Sequence, residues 1–392
     1  MIEFDNVKIF TDNIEQSALE QLHVLVTTGV FDGQPIRIMP DVHTGAGCVI
    51  GFTAPINDKI IPNLVGVDIG CGMLCISLGK VDIDFAELDN IIKTNIPSGR
   101  NVGEFNGYAR ELLQSLLCKQ HLVKHDWLER SLGTLGGGNH FIEVDIDEDG
   151  EKYLIIHSGS RNFGKQVAEY YQERAIKEAN HGTVSELIRE YKAQGREKEL
   201  SAAINAAVRA PKLPRDLCYV HGEALSDYLH DMDVCTEFAD SNRKMIGDKI
   251  LSALMGAGVD GLYSFTTRHN YIGADRYIRK GAISAKAGER VLIPLNMRDG
   301  CIIGIGKGNP EWNYSAPHGA GRIMSRAKAR ANIRVDDFKN TMQGIYSTTV
   351  CQDTVDEAPF AYKPSEEIIS LVADTVDIEK IIKPVYNFKA SE

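Results

Sequence analysis

Hydrophobic positions along this chain form short runs in some regions and follow helical spacing in others. Six short apolar runs end in turns that are rich in glycine or that carry histidine, and we interpret them as strands. Runs of this length between turn residues are typical of buried strands. They lie at 36–39, 64–69, 141–144, 153–156, 291–295 and 301–305.

A long stretch from about Lys165 to about Met255 has helical spacing and many strong helix formers, and Pro211 and Pro214 break it. Shorter helices are predicted at 85–93, 104–119, 319–331 and 365–372. Strands with polar ends and a helical excursion between them predict an α+β (mixed α/β) architecture with the site at the strand termini. Because no repeat or flexible linker divides the chain, we expect one domain over 1–392, with the excursion at about 165–255.

Composition limits the classes of function. The net charge of −11 over 392 residues argues against a general nucleic-acid coat protein, since such proteins usually carry a basic excess. Basic side chains do concentrate within 268–290 and 322–334, where composition alone favours solvated faces over a binding site. The eight cysteines lack the spacing of a secreted disulfide scaffold, so we expect reduced thiols or metal ligands. We find no leader and no membrane-spanning run, and we expect a cytoplasmic protein.

Metal-binding residue types recur in four segments. Asp68 and Cys71 are three residues apart in a glycine-rich turn, and His140 follows a run of glycines that suggests close backbone approach to a ligand. His157 ends an apolar run, and His269 lies in Arg-His-Asn-Tyr. Each histidine alone is more often structural, but four such segments together indicate a metal site.

The chemistry of these ligands leaves the metal undecided. One thiolate with several imidazoles favours zinc, whereas manganese prefers oxygen ligands. Asp68 and Cys71 together could bridge two ions, an arrangement that suits phosphoryl transfer. Cys71 could also be a small buried hydrophobe, an interpretation that fits Cys75 better.

A histidine with glycines and arginines after it marks the other candidate segment, 315–326. We predict that His318 lies at the start of a helix whose amide groups bind an anion, with Arg322 and Arg326 on one face. His318 could be a general base, a metal ligand, a covalent nucleophile or a helix cap. Asp41 and His43, in a further polar turn, either support catalytic groups or stabilise the turn.

Taken in order, these segments resemble the RtcB family of RNA-splicing and RNA-repair ligases. The resemblance runs from Asp41 to Lys389 through the motifs GVDIGCGM, GTLGGGNHFIEV, HSGSRNFG, RHNY, RKGA, HGAGR and KPVYNFKA. It implies two manganese ions held by Asp68, Cys71, His140, His157 and His269, with Cys71 bridging.

The resemblance also implies roles for the nucleotide-binding residues. His318 would attack the α-phosphate of GTP and carry GMP. The other nucleotide contacts would come from Asn139, Glu143, Asn296, Gly319, Ala320, Gly321 and Lys389. Arg161, Arg322 and Arg326 match positions that face phosphate or RNA.

The implied reaction opens a 2′,3′-cyclic phosphate to a 3′-phosphate, transfers GMP to that phosphate, and joins the end to a 5′-hydroxyl. The implied partners are RNA with broken ends, such as tRNA or another structured RNA, and an archease-type activator. The chain length suggests a compact branch devoted to RNA repair. A metal-dependent phosphoesterase or a non-catalytic RNA-binding protein on the same scaffold is the alternative.

One segment departs from the family pattern. Residues 294–300 replace a Gly-Ser-Met-Gly nucleotide loop, with Asn296 in place of the serine and with added Arg298 and Asp299. We expect the two new charges to lie where the nucleotide is sensed, and we expect nucleotide choice to be relaxed.

Overall fold

Strands and helices are mixed along residues 1–209 and 213–390, which this computed structural model describes. The strands are β1 (Ile2–Phe4), β2 (Val7–Ile9), β3 (Ile36–His43), β4 (Ile50–Pro55), β5 (Lys59–Ile60), β6 (Gly72–Gly79), β7 (Phe141–Ile146), β8 (Lys152–Ser158), β9 (Val220–His221), β10 (Ser264–Arg268), β11 (Asn270–Ile272), β12 (Tyr277–Lys280), β13 (Ala282–Ser284), β14 (Arg290–Asn296), β15 (Gly300–Gly306), β16 (Ser315–Pro317) and β17 (Val376–Lys389). The helices are α1 (Gln16–Val26), α2 (Phe85–Asn95), α3 (Gly107–Ser115), α4 (His125–Glu129), α5 (Arg161–Ala193), α6 (Glu197–Arg209), α7 (Gly222–Met255), α8 (Arg326–Asn332), α9 (Val335–Thr341) and α10 (Ser365–Val372). The expected α+β class is confirmed.

The larger sheet has seven strands in the order β10-β6-β8-β7-β17-β15-β14, and every neighbouring pair is antiparallel. Its two outer strands approach each other, since Arg290 at the start of the last strand lies over the ring of Phe265 in the first strand, 5.9 Å from its centroid. The sheet is therefore curled. Cys75 of β6 and Cys301 of β15 therefore share one buried apolar cluster inside the curl.

The second sheet has the order β1-β2-β3-β4-β12-β11, and its strand β3 carries Asp41 and His43. Its strand β3 pairs with β4 through a register shift between Ile38 and His43, so Asp41 lies in an irregular stretch of strand. A separate two-stranded ribbon of β13 and β16 ends at Pro317, immediately before His318.

The predicted helical stretch is confirmed in outline but consists of the three helices α5, α6 and α7. Pro214 precedes a short 3-10 helix, Arg215–Leu217, whereas Pro211 lies outside the described residues. Helix α7 is a core element, because Arg243, Phe238 and Ile246 are all buried. None of the helices in the described ranges combines the length and apolar character needed to cross a membrane.

Three predicted elements need correction. Residues 64–69 are not a strand: a 3-10 helix, Pro62–Leu64, leads into a turn in which Gly66 and Gly70 adopt positive φ. The helix predicted at 104–119 shortens to α3. The helix predicted at 319–331 begins only at Arg326, after an irregular loop.

Candidate active site

The predicted metal ligands meet at one end of the seven-stranded sheet. Cys71 immediately precedes β6, with Asp68 in the turn before it. His140 immediately precedes β7, His157 lies near the end of β8, and His269 follows β10. Because neighbouring strands are antiparallel, the starts of β6 and β7 and the ends of β8 and β10 fall at the same edge.

Donor atoms of these residues approach one another closely. The Sγ atom of Cys71 lies 3.4 Å from His140 Nε2 and 3.3 Å from His157 Nε2. A carboxylate oxygen of Asp68 lies 3.1 Å from His140 Nε2. The donor atoms of Cys71, His140 and His157 all lie within 4.8 Å of one another, and the Asp68 carboxylate adjoins this group at His140.

Backbone carbonyls fix the orientation of two of the rings. His140 Nδ1 lies 2.9 Å from the carbonyl oxygen of Leu135, and His157 Nδ1 lies 3.1 Å from that of Asn139. Since a carbonyl can only accept, His157 Nδ1 carries the proton in its bond, whereas His140 Nδ1 also lies 3.1 Å from the Arg161 guanidinium, which can only donate. The Nε2 lone pair of His157 is then free to bind a cation, as in many metal sites.

The electrostatics of the cluster also fit a divalent cation. Burial lowers the pKa of His157 and of His269 well below the usual range, which keeps both rings neutral. Burial alone would raise the pKa of Asp68, but its bond to His140 lowers that pKa to about 2. Burial and the nearby Asp68 raise the pKa of Cys71 well above its usual range, so a cation is needed to stabilise its thiolate.

His269 supplies a further donor next to this cluster. Its Nδ1 is buried and has no hydrogen-bond partner among the described residues. Its ring centroid lies 5.2 Å from that of His157 and 4.9 Å from that of His318. A bound metal would satisfy this unpaired atom, so the five residues fit the expected metal set.

Helix α7 holds the ligand loops in place. The buried guanidinium of Arg243 donates to the carbonyls of Gly70 and Ser158, each adjacent to a candidate ligand, at 2.9 and 2.7 Å. Asn242 accepts from the backbone N–H of Gly133 and donates to the carbonyl of Gly159. The predicted excursion therefore supports the site.

The expectation that the glycine run allows close approach of a ligand needs correction at one position. A Cβ on Gly136, which has a φ of +79°, would fall within 2 Å of the Arg161 guanidinium. The close approach at this glycine is therefore made by a side chain of the protein itself.

His318 is oriented by Asp41, which is fully buried. One Asp41 oxygen accepts from His318 Nδ1 at 2.6 Å and from the His318 backbone N–H at 3.1 Å. The expected helix N-terminus is absent here, since α8 begins eight residues later. Asp41 takes the supporting role that its turn suggested, while the His43 ring contacts only the backbone of Asp41 among the hydrogen bonds found in the described residues.

A cavity of about 280 Å³ opens beside His318. All the expected nucleotide contacts line it, together with Arg322 and Arg326; these contacts are Asn139, Glu143, Asn296, Gly319, Ala320, Gly321 and Lys389. The seven-stranded sheet contributes Glu143 and Asn387 to its lining, and Glu143 accepts a hydrogen bond from Asn387. Burial raises the pKa of Glu143 to about 7.

Two carboxylates that the sequence analysis did not identify form ion pairs with the cationic side chains that line this cavity. Glu357 is buried and pairs with Lys389 at 2.5 Å, Arg326 at 2.6 Å and Arg322 at 3.1 Å. Asp356 also pairs with Arg326, at 2.7 Å. The two arginines thus line the cavity with their charges partly neutralised, and they do not share a helix face as predicted.

The expected effect of Arg298 and Asp299 on the nucleotide needs correction. The two side chains pair with each other at 2.8 Å, and neither lines the cavity. The Asn296 side chain accepts from the backbone N–H groups of both residues and so closes the hairpin turn between β14 and β15. Relaxed nucleotide choice stays a prediction, without support from these two charges.

The basic segment 268–290 is not simply a solvated face. Arg279 is fully buried and pairs with Asp275 at 2.8 Å. Lys280 is also buried and donates to the carbonyls of Ala46 and Cys48. Burial lowers the pKa of Lys280 to about 8.

Comparisons with known proteins cover nearly all of the chain. A family model described as "tRNA-splicing ligase RtcB" matches residues 25–126 and 118–390. The chain is 30% identical over 419 positions to "RNA-splicing ligase RtcB1" of one Escherichia coli strain and to "RNA-splicing ligase RtcB" of strain K12, across 97% of this chain and 96% of each relative. It is 28% identical to "tRNA-splicing ligase RtcB" of Aeropyrum pernix, across 88% of this chain and 85% of the relative. The matched residues include every segment of the site.

Proposed function

Since this chain belongs to the RtcB family, we propose that it is a GTP- and manganese-dependent RNA ligase. It joins an RNA end carrying a 2′,3′-cyclic phosphate or 3′-phosphate to an end carrying a 5′-hydroxyl. The observation that carries the proposal is His318, held by Asp41 between the candidate metal ligands and the cavity.

His318 is the nucleophile of the first step. Because its Nδ1 donates to Asp41, its Nε2 carries the lone pair that attacks the α-phosphorus of GTP. A nitrogen–phosphorus bond forms, the bond to the β-phosphate oxygen breaks, and pyrophosphate leaves. The product is GMP on His318 Nε2.

The remaining steps move GMP onto the RNA and then release it. Water first opens a cyclic end to a 3′-phosphate, whose oxygen attacks the GMP phosphorus and breaks its bond to His318. The 5′-hydroxyl oxygen then attacks the RNA 3′-phosphorus, loses its proton and expels GMP. The new bond is a 3′,5′-phosphodiester.

Asp68, Cys71, His140, His157 and His269 would hold the two manganese ions. The ions would neutralise phosphate charge in each transfer. Arg322 and Arg326 add positive charge to the lining of the cavity beside His318.

Glu143 and Lys389 are the proposed base contacts. An ionised Glu143 at the cavity floor accepts hydrogen bonds from the N–H donors of a guanine edge. Adduct yields with each of the four nucleoside triphosphates, for the natural protein and for Asn296→Ser, measure how far choice is relaxed. Strict GTP use by both would reject the relaxed preference.

Sealing of two synthetic RNA strands tests the proposed function. The natural protein with GTP and manganese should join a 3′-phosphate strand to a 5′-hydroxyl strand, whereas His318→Ala should not. His230→Ala, a change at an exposed histidine on α7, is the matched control. Opening of the cyclic phosphate without joining would instead identify a phosphoesterase.

A further inference from the structure

A second buried carboxyl group, that of Asp145, lies next to Glu143. The two residues are two positions apart on β7, so their side chains leave the same face of the sheet. Donor atoms of Glu143, Asp145 and the Cys301 thiol all lie within 4.8 Å of one another, and all three residues are buried. Asp145 does not line the cavity beside His318. Any effect of Asp145 on a bound nucleotide must therefore pass through Glu143, which does line it.

The carboxyl group of Asp145 lacks a counter-ion within the described part of the chain. It is fully buried, and neither of its oxygens has a hydrogen-bond partner among the described residues. The cations on the neighbouring strands are bonded elsewhere: Lys389 to Glu357, Lys380 to Asp147, Arg290 to Glu379, and Lys383 to the Asp299 carbonyl. A buried carboxylate without a partner is strongly unfavourable, so the charge of Asp145 must be removed or compensated.

A proton on Asp145 removes this charge more simply than a metal ion would compensate it. When two carboxyl groups lie side by side in an apolar region, one keeps its proton so that the other can ionise. Burial and the neighbouring Glu143 raise the pKa of Asp145 well above its usual range. A closed zinc site needs four ligands, whereas this group offers three among the described residues, and Cys301 belongs to an apolar cluster. Asp145 is therefore the group that keeps the proton.

We propose that Asp145 is a positioning residue that donates a hydrogen bond to Glu143, and that this bond strengthens the preference of the cavity for guanine over adenine. The assignment rests on the proposed ligase function. Because Asn387 and Asp145 both donate to it, the Glu143 carboxylate is held in one orientation and keeps lone pairs for the N–H donors at N1 and N2 of guanine. Adenine presents an acceptor at N1, which a carboxylate repels.

Equilibrium binding of GTP and of ATP to variants of Asp145 tests this role. Asp145→Leu, which has a similar shape but no donor, should bind GTP about tenfold more weakly near neutral pH and lose a similar factor of its preference over ATP, because a hydrogen bond to a charged group is lost. Its pH midpoint for GTP binding should rise, since Glu143 then ionises less readily. Asp145→Asn places an N–H at the same point and should keep affinity and preference within about twofold. Asp149→Asn, at an exposed aspartate after β7, is the control.

Infrared spectroscopy of the nucleotide-free protein tests the proton directly and does not depend on ligase activity. With an isotopic label on the aspartate side-chain carboxyl groups, the C=O stretch of a protonated carboxyl should be present at about pH 8 in the natural protein and absent in Asp145→Asn.

Three results would overturn the assignment. The first is the absence of that band in the natural protein, and the second is a loss of bound metal in Asp145→Asn, which would identify a metal site instead. The third is equal GTP binding and preference in Asp145→Leu and Asp145→Asn. Absence of a GMP adduct in the natural protein would reject the ligase function, whereas the infrared result would stand independently.

Discussion

The Nδ1 atom of His318 lies 2.6 Å from a carboxylate oxygen of Asp41, although the two residues are 277 positions apart in the chain. The same oxygen accepts the His318 backbone N–H, so both the ring and its backbone are fixed. Gly321, with a φ of +75°, packs so closely on Asp41 that a Cβ there would lie 2.3 Å from the Asp41 carbonyl oxygen. The loop from His318 to Gly321 therefore packs directly on Asp41.

Asp41→Asn should slow GMP transfer to His318 by about 100-fold or more, because an amide can present its N–H to the ring and favour the wrong tautomer. The measurement is the single-turnover rate of adduct formation across pH. A purely structural role for Asp41 would lower the fraction of active protein without changing the pH profile.

Cys71→Ala should lose bound manganese and form no adduct, since the thiolate lies between two imidazole donors. Cys75→Ala, which removes an equally buried thiol from the neighbouring apolar cluster, should keep both. Elemental analysis after dialysis gives the metal content. Equal metal content and activity in the two variants would contradict the bridging role.

Glu357→Gln should destabilise the protein by about 3–5 kcal/mol, because it leaves buried positive charge without its partner. Urea unfolding measures this, with Glu311→Gln in an exposed pair expected to cost less than about 1 kcal/mol. A similar small loss for both would show that Glu357 does not organise this wall.

The same carboxylate predicts how stability depends on pH. Burial alone would raise the pKa of Glu357, but Lys389, Arg326 and Arg322 lower it to about 2, from about 4.5 in the unfolded chain. Its contribution is therefore fully present above about pH 4.5 and is lost as pH falls toward 2. Glu357→Gln should flatten this part of the stability profile.

GTP binding should strengthen about tenfold between pH 6 and pH 8. Burial raises the pKa of Glu143 to about 7, so the anion that accepts from guanine is a minority at pH 6 and predominates at pH 8. Asp145, also buried, has its own pKa raised by burial and by Glu143, and so adds no second charge. Equilibrium binding measures the effect; Glu143→Gln should bind weakly at both pH values. Binding of GTP by the natural protein that does not change with pH would contradict this role of Glu143.

The sequence was most informative where local pattern determines structure. The helix predicted at 365–372 has the observed bounds, and five of the six predicted strands exist. The sixth failed because Val65 and Ile69, although apolar, belong to a turn bounded by glycines with positive φ. The helix expected after His318 failed because Gly319 and Gly321 serve a loop packed on another strand.

Contacts between residues that are far apart in the chain could not be predicted from the local sequence pattern. The metal-ligand residue types were recognisable from their turns, and the structure brings them together. Glu357 gave no comparable signal: its role depends on Lys389 and two arginines that approach only in the folded chain. Arg161 was expected to face phosphate, but only the fold shows that its guanidinium packs against Gly136 and lies 3.1 Å from His140 Nδ1.

Mapping of a covalent GMP adduct tests the central claim most directly. After incubation with manganese and GTP labelled at the α-phosphate, the natural protein should carry an acid-labile, base-stable label that peptide analysis places on His318. His318→Ala should carry none, and His230→Ala should label normally. Normal labelling of His318→Ala, or a label on any other residue, would contradict the account.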